Sequence, residues 1–166
     1  MVEAASSDAD GTYTVTITKL EVSKDSGATF ITVFSGSQAI NIAAADAGAV
    51  AAGLVSGAAM ETGTYDRVRV TLASDLLVKG FRNTGGGTTD YTNGTSFNTV
   101  AGNDPGGDYA VSTLTVPEEN RVQTFTGYSI VVQPGGSSQV TITFNTTGVI
   151  IAGPSIKPPS VSVTAS

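Results

Sequence analysis

The chain has 166 residues, a net charge of −6 with only 8 Lys and Arg, and a charged fraction of 13%, about half the roughly 25% usual for soluble proteins. With no Cys, His or Trp, it has no thiol or imidazole for disulfides, for Ser-His or Cys-His catalysis, or for zinc and haem sites built on those ligands. So few basic residues exclude a phosphate-binding face for nucleic acid, and the length sets one domain.

Residues 1–11 are polar and end in the turn Asp8-Ala9-Asp10-Gly11. From Tyr13 to Val22 apolar and polar residues alternate, which predicts a strand with Tyr13, Val15, Ile17, Leu20 and Val22 on its apolar face. One slip of phase near Lys19 predicts a bulge. Ser23-Lys24-Asp25-Ser26-Gly27 reads as a hairpin turn, followed by short strands over Phe30–Phe34 and Gln38–Ile42. Ala43 to Ala59 is the one segment with helical composition. Gly48, Gly53 and Gly57 oppose a helix there by about 1 kcal/mol each, so one short helix or a few turns is expected, burying Val50, Leu54 and Val55.

Gly63-Thr64-Tyr65 opens a strand in which Val68, Val70 and Leu72 face one side and Arg67, Arg69 and Thr71 the other. The two arginines are expected to pair with acids. Leu76–Phe81 reads as the next strand, and residues 83–108 as a long Gly/Thr/Asn loop. Tyr109–Val116, Gln123–Val132 and Gln139–Asn145 are strands divided by Pro117-Glu118-Glu119-Asn120 and Pro134-Gly135-Gly136, and Gly148–Ala152 is a further one. Pro154, Pro158 and Pro159 bracket a stiff linker before a last alternating piece, Ser160 to Ser166. The fold class expected is all-β, an antiparallel Greek-key β-sandwich of Ig-like or transthyretin-like type. Its divisions are a tail (1–11), a sandwich (12–152), a linker (153–159) and a C-terminal strand (160–166).

Two strands carry a resemblance. Val15-Thr16-Ile17-Thr18-Lys19-Leu20-Glu21-Val22 and Gly63-Thr64-Tyr65-Asp66-Arg67-Val68-Arg69-Val70-Thr71-Leu72 resemble the paired strand motifs of the secreted or surface-anchored domains catalogued as domain-of-unknown-function family 4382. The resemblance runs from Tyr13 to about Phe144. It implies an extracellular β-sandwich with no established activity, and it transfers no catalytic residue. Members usually begin with one more strand, where this chain has the polar stretch Met1 to Gly11. A similar piece sits at the other end. Val161, Ser162, Val163, Thr164 and Ala165 are therefore expected to form an assembly strand, completing either the chain's own sheet or that of a neighbour, with Tyr13, Val15 and Ile17 as the acceptor edge. A head-to-tail exchange of this kind does not close and builds a fibre.

Other candidates are weaker. Asn103, Asp104 and Asp108 offer oxygen ligands for calcium without a recognised loop spacing, and Asp8-Ala9-Asp10-Gly11 offers fewer. Glu61, Asp66 and Asp75 are carboxylates that nothing in the sequence places face to face. Tyr91, Phe97 and Tyr109 would be a stacking platform for sugar, or else pack the loop down. Lys19 and Lys79 would serve an isopeptide crosslink if buried beside Asn and an acid. Asn93-Gly94-Thr95 and Asn145-Thr146-Thr147 match the N-glycosylation acceptor pattern. No apolar run reaches the ~20 residues of a membrane span, and Met1 to Gly11 lacks the basic and hydrophobic parts of a leader, which fits either a cytosolic chain or a form with its leader removed; enrichment in Thr, Ser, Gly and Val with few Lys and Glu favours the second. The expectation is a non-enzymatic extracellular or cell-surface subunit that polymerises with itself and uses no cofactor. The rival is a secreted or surface-anchored binding module touching a glycan or another surface.

Overall fold

Apolar residues recur at every second position from Tyr13 to Ile17, and in the computed structural model they turn inward from one long strand, β1 (Ala9–Ser23). The residues described are 9–43, 60–135, 140–145, 148–151, 155–156 and 160–165. After β1 come β2 (Ile31–Asn41), β3 (Gly63–Asn83), β4 (Thr88–Thr92), β5 (Phe97–Ala101), β6 (Ser112–Thr115) and β7 (Val122–Val132). They are followed by β8 (Val140–Asn145), β9 (Ile150–Ile151), β10 (Ser155–Ile156) and β11 (Ser160–Ala165). All strand pairs are antiparallel, and the only helical element among the described residues is a 3-10 turn at Glu118–Asn120. The fold is all-β, as the alternating pattern indicates.

The bulge expected near Lys19 is present. The register of β1 shifts between Ile17 and Lys19 against both β2 and β3, so the buried face passes from Tyr13, Val15 and Ile17 to Leu20 and Val22. β1 lies between β2 and β3, and β3 is the spine of the sheet. Along one edge β3 meets β1; along the other it meets β7, then β6, then β4, which in turn pairs with β5. Tyr65, Val68, Val70, Leu76 and Val78 of β3 join the apolar residues of β1 in the core, where each fully buried side chain contributes about 1.5–3 kcal/mol. Val149 is fully buried on this core and Ile156 packs against it, which places these two residues over the sheet as part of a second layer.

Four expectations are corrected. The strands expected over Gly63–Leu72 and Leu76–Phe81 are one strand of 21 residues. The polar step Ala73-Ser74-Asp75 does not break it, because the connection between β6 and β7 supplies partners: Val116 N donates to Ser74 O (2.7 Å), and Leu72 N to Arg121 O (2.8 Å). The stretch 83–108 is not a bare loop; it contains the hairpin β4–β5, whose buried residues include Thr89 and Thr92. Thr is a good strand former, and its hydroxyl can be buried when bonded: Thr89 Oγ1 donates toward Asn83 Oδ1 and Gly102 O, both at 2.8 Å. The linker 153–159 includes β10, which pairs with β9. The tail is shorter than expected, since β1 begins at Ala9 and a bulge between Ala9 and Thr12 absorbs Gly11. The helix expected over 43–59, with Val50, Leu54 and Val55, lies outside the described residues except for Ala43.

Candidate functional site

The C-terminal strand forms as expected, and its partner is β8. Val161 pairs with Phe144, Ser162 with Thr143, Val163 with Ile142, Thr164 with Thr141, and Ala165 with Val140. Neither strand contains a charged residue. Among the described residues this ladder is a two-stranded sheet of its own, hydrogen-bonded to no strand of the main sheet. The strand the sequence singled out is thus folded onto its own chain, at a site other than the one anticipated.

The acceptor edge is corrected. Tyr13, Val15 and Ile17 sit in the middle of the main sheet, with β1 paired on both sides. Val15 lies between Ile40 and Leu76, and Ile17 between Gln38 and Leu72; Tyr13 faces Val78. Tyr13 O accepts from Ile42 N (2.8 Å) and Tyr13 N donates to Asn41 Oδ1 (3.0 Å), which leaves no main-chain group of that residue open. Among the described residues, the outer edge falls to β2, which pairs with β1 alone. β2 carries no charge, and register shifts against β1 bulge it near Val33 and Gly36, a common guard on an open edge.

The face of β1 opposite the core holds an ionic cluster. Glu21, whose side chain is 5% exposed, accepts from Arg69 Nε at Oε2 (2.7 Å) and pairs with Lys19 Nζ at Oε1 (2.6 Å). The Arg69 bond, with its charge and that of Lys19, holds the Glu21 carboxyl below its ordinary value against the opposing effect of burial. Arg69 also lies over the Phe30 ring, 3.7 Å from its centre. The expected acid partner therefore exists for Arg69. For Arg67 none is found: its Nε is buried without a hydrogen-bond partner among the described residues, beside Gly27. Sequence reading missed Glu21, although its place between Leu20 and Val22 sets it on the same face as the arginines.

The remaining candidates are dispersed. In the 23–29 turn, Asp25 accepts from Thr29 Oγ1 and Thr29 N and from Ser23 Oγ, and these bonds, led by the Thr29 hydroxyl, pull its carboxyl down to about 2. Glu61 pairs with Lys24 (2.7 Å), Asp66 accepts from Ser26 Oγ (3.1 Å), and Asp75 accepts from Ser74 Oγ (3.1 Å). The three carboxylates are thus each engaged separately. Asn103, Asp104 and Asp108 are exposed; Asp104 Oδ1 accepts from Gly106 N (2.9 Å), and among the described residues no group of three acids could hold a metal. Tyr91 is buried with its hydroxyl accepting from Asn98 Nδ2 (3.2 Å), Phe97 packs on the core, and Tyr109 meets Phe81 edge-on. These rings form no open platform. Lys19 is held by Glu21, and Lys79 lies over the Tyr109 ring.

Strand order, bulges and core define an antiparallel β-sandwich domain. The family model described as a domain of unknown function (DUF4382) matches residues 4–156, and the chain belongs to that family. No curated protein and no solved structure matches it. The match stops ahead of β11.

Proposed function

We propose that the chain is a structural, non-catalytic subunit of an extracellular filament, built head to tail by exchange of the C-terminal strand between copies. The observation that carries this reading is the ladder of β11 on β8, a sheet of two strands that lies beside β7 but shares no main-chain ladder with the main sheet. β11 has one hydrogen-bonded partner strand and beyond it only a contact with β7, so it separates at less cost than a strand paired on both sides, such as β1 or β3. Its six-residue register is available unchanged on the β8 of a second copy. The two arrangements then share their hydrogen bonds, and what differs is the connection over 146–159. That tether gives the strand an effective local concentration in the millimolar range, so exchange is favoured where subunits are crowded or where flanking surfaces add contacts. The uncharged β2 edge offers such a flank. Scarce charge and abundant Thr also suit a subunit covered on several sides.

Because the chain has no Cys, a pair of engineered thiols reports the exchange. Thr143 and Ser162 lie opposite one another, within the spacing a disulfide spans. Chains carrying Thr143→Cys are mixed with chains carrying Ser162→Cys and oxidised. Exchange predicts a disulfide joining two different chains, and fibres of the unmodified protein by negative-stain microscopy. Val163→Pro, which removes a main-chain donor from β11, should abolish both while leaving the sheet spectrum intact. A chain that stays monomeric at high concentration, and that forms only an internal disulfide when Thr143→Cys and Ser162→Cys are combined in one chain, refutes the proposal and leaves a binding module as the better reading.

A further inference from the structure

The two N-glycosylation sequences have different surroundings, and the hairpin β4–β5 presents one of them. Asn93-Gly94-Thr95 forms its turn, between Thr92 and Phe97. Asn93 Oδ1 accepts three hydrogen bonds: from Ser96 N (2.9 Å), Thr95 N (3.2 Å) and Thr95 Oγ1 (3.2 Å). This is an Asx turn in which the threonine hydroxyl reaches back to the asparagine amide. Gly94, Thr95 and Ser96 are exposed, and no hydrogen bond from Asn93 Nδ2 is formed among the described residues. The backbone is pinned as well: Gly94, at φ +94°, donates to Ser112 Oγ (3.1 Å), and Asn93 bridges to Ala110. Asn145, by contrast, is the last residue of β8 and pairs with Ser160.

From this geometry we propose that Asn93 is an N-glycosylation site of the folded chain. The co-substrate class is an oligosaccharide joined through C1 to a lipid diphosphate. Asn93 Nδ2 attacks that C1; the nitrogen–carbon bond forms as the carbon–oxygen bond to the diphosphate breaks. One amide proton passes to a base of the transferring enzyme, and the lipid diphosphate leaves with the bonding pair. Hydrogen bonds at Oδ1, including that of Thr95, stabilise the charge that gathers on the oxygen as the nitrogen gives up its proton. Thr95 is thus a positioning residue for the reaction, and the pinned turn supplies its geometry in advance.

The test treats the folded chain with a purified oligosaccharyltransferase and a lipid-linked oligosaccharide, with a short Asn-Gly-Thr peptide as control, and reads site occupancy by peptide mass mapping. Asn93 should be modified several-fold faster than Asn145. Thr95→Ala should abolish modification at Asn93 and Thr95→Ser should retain it, both variants melting with the parent. Glycosylation of the control peptide with Asn93 left bare overturns the inference. So does equal or faster modification of Asn145, and so does undiminished modification of the Thr95→Ala chain.

Discussion

Replacing Arg69 by Ala tests whether the ionic cluster on β1 contributes to the stability of the sheet. The substitution removes a charge-assisted bond to a carboxylate that is 5% exposed, an interaction worth about 1.5–3 kcal/mol. It also removes the stack on Phe30, about 0.5–1 kcal/mol for a cation still in contact with water. Arg69 is itself 30% exposed and Lys19 remains on Glu21, so the lower ends of both ranges apply and the sum is about 2 kcal/mol. In a domain of this length that lowers the melting temperature by about 4–8 °C. Lys19→Ala, whose side chain is 41% exposed, should cost under about 1 kcal/mol. The loss should also depend on pH in a definite direction. The folded Glu21 carboxyl titrates below its unfolded value, so the native state holds fewer protons there. Its contribution is complete above the ordinary carboxylate range and disappears as acid carries the pH down through the folded value. Urea denaturation of dilute Arg69→Ala across that range should therefore show a flatter acid limb than the parent. Stability within about 0.5 kcal/mol of the parent, or an unchanged acid limb, refutes the argument.

Burial pushes the phenols of Tyr13 and Tyr128 up to about 12, and both should ionise there in a near-ultraviolet titration. The native state holds those protons more tightly, so their contribution is complete below the ordinary phenol value near 10 and fades as pH rises toward 12. Tyr65→Phe removes a buried hydroxyl that donates to Glu61 O (2.9 Å) and should cost about 1 kcal/mol by denaturant unfolding. Thr29→Val removes the first of the bonds that depress Asp25, and carbon-detected NMR should find that carboxyl shifted from about 2 toward its ordinary value.

What could be read from the sequence was local. Tyr13-Val15-Ile17 and Val68-Val70 announced strands because their apolar side chains alternate, and the phase slip at Lys19 announced a bulge because one residue too many separates Ile17 from Leu20. The β4–β5 hairpin escaped because its buried positions include Thr89, Asp90 and Thr92, whose side chains read as solvent-facing until their partners are known; Thr99 Oγ1 donates to Asp90 Oδ1 at 2.6 Å from the neighbouring strand. The assembly strand was legible as a strand. The acceptor edge was not, because whether Tyr13 borders solvent depends on β3, more than fifty residues away, closing on β1. Periodicity states which way a side chain turns; it carries no record of which strand lies beside it.

That distinction also bears on the two proposals, strand exchange and glycosylation at Asn93. β7 leaves the main sheet at Val132, opposite Gly63 at the start of β3, and the chain then runs on into β8. The turn bearing Asn93 belongs to the opposite end of β3, where β4 pairs with Phe81, Arg82 and Asn83. Joining by strand exchange makes its demand on the β8–β11 ladder, whereas modification makes its demand on a turn tied to β6 through Ser112. The long β3, which the sequence divides in two, would hold the two proposed roles apart along one strand. A subunit of this design can carry a sugar at one end of its spine without occupying the main-chain groups that β11 requires.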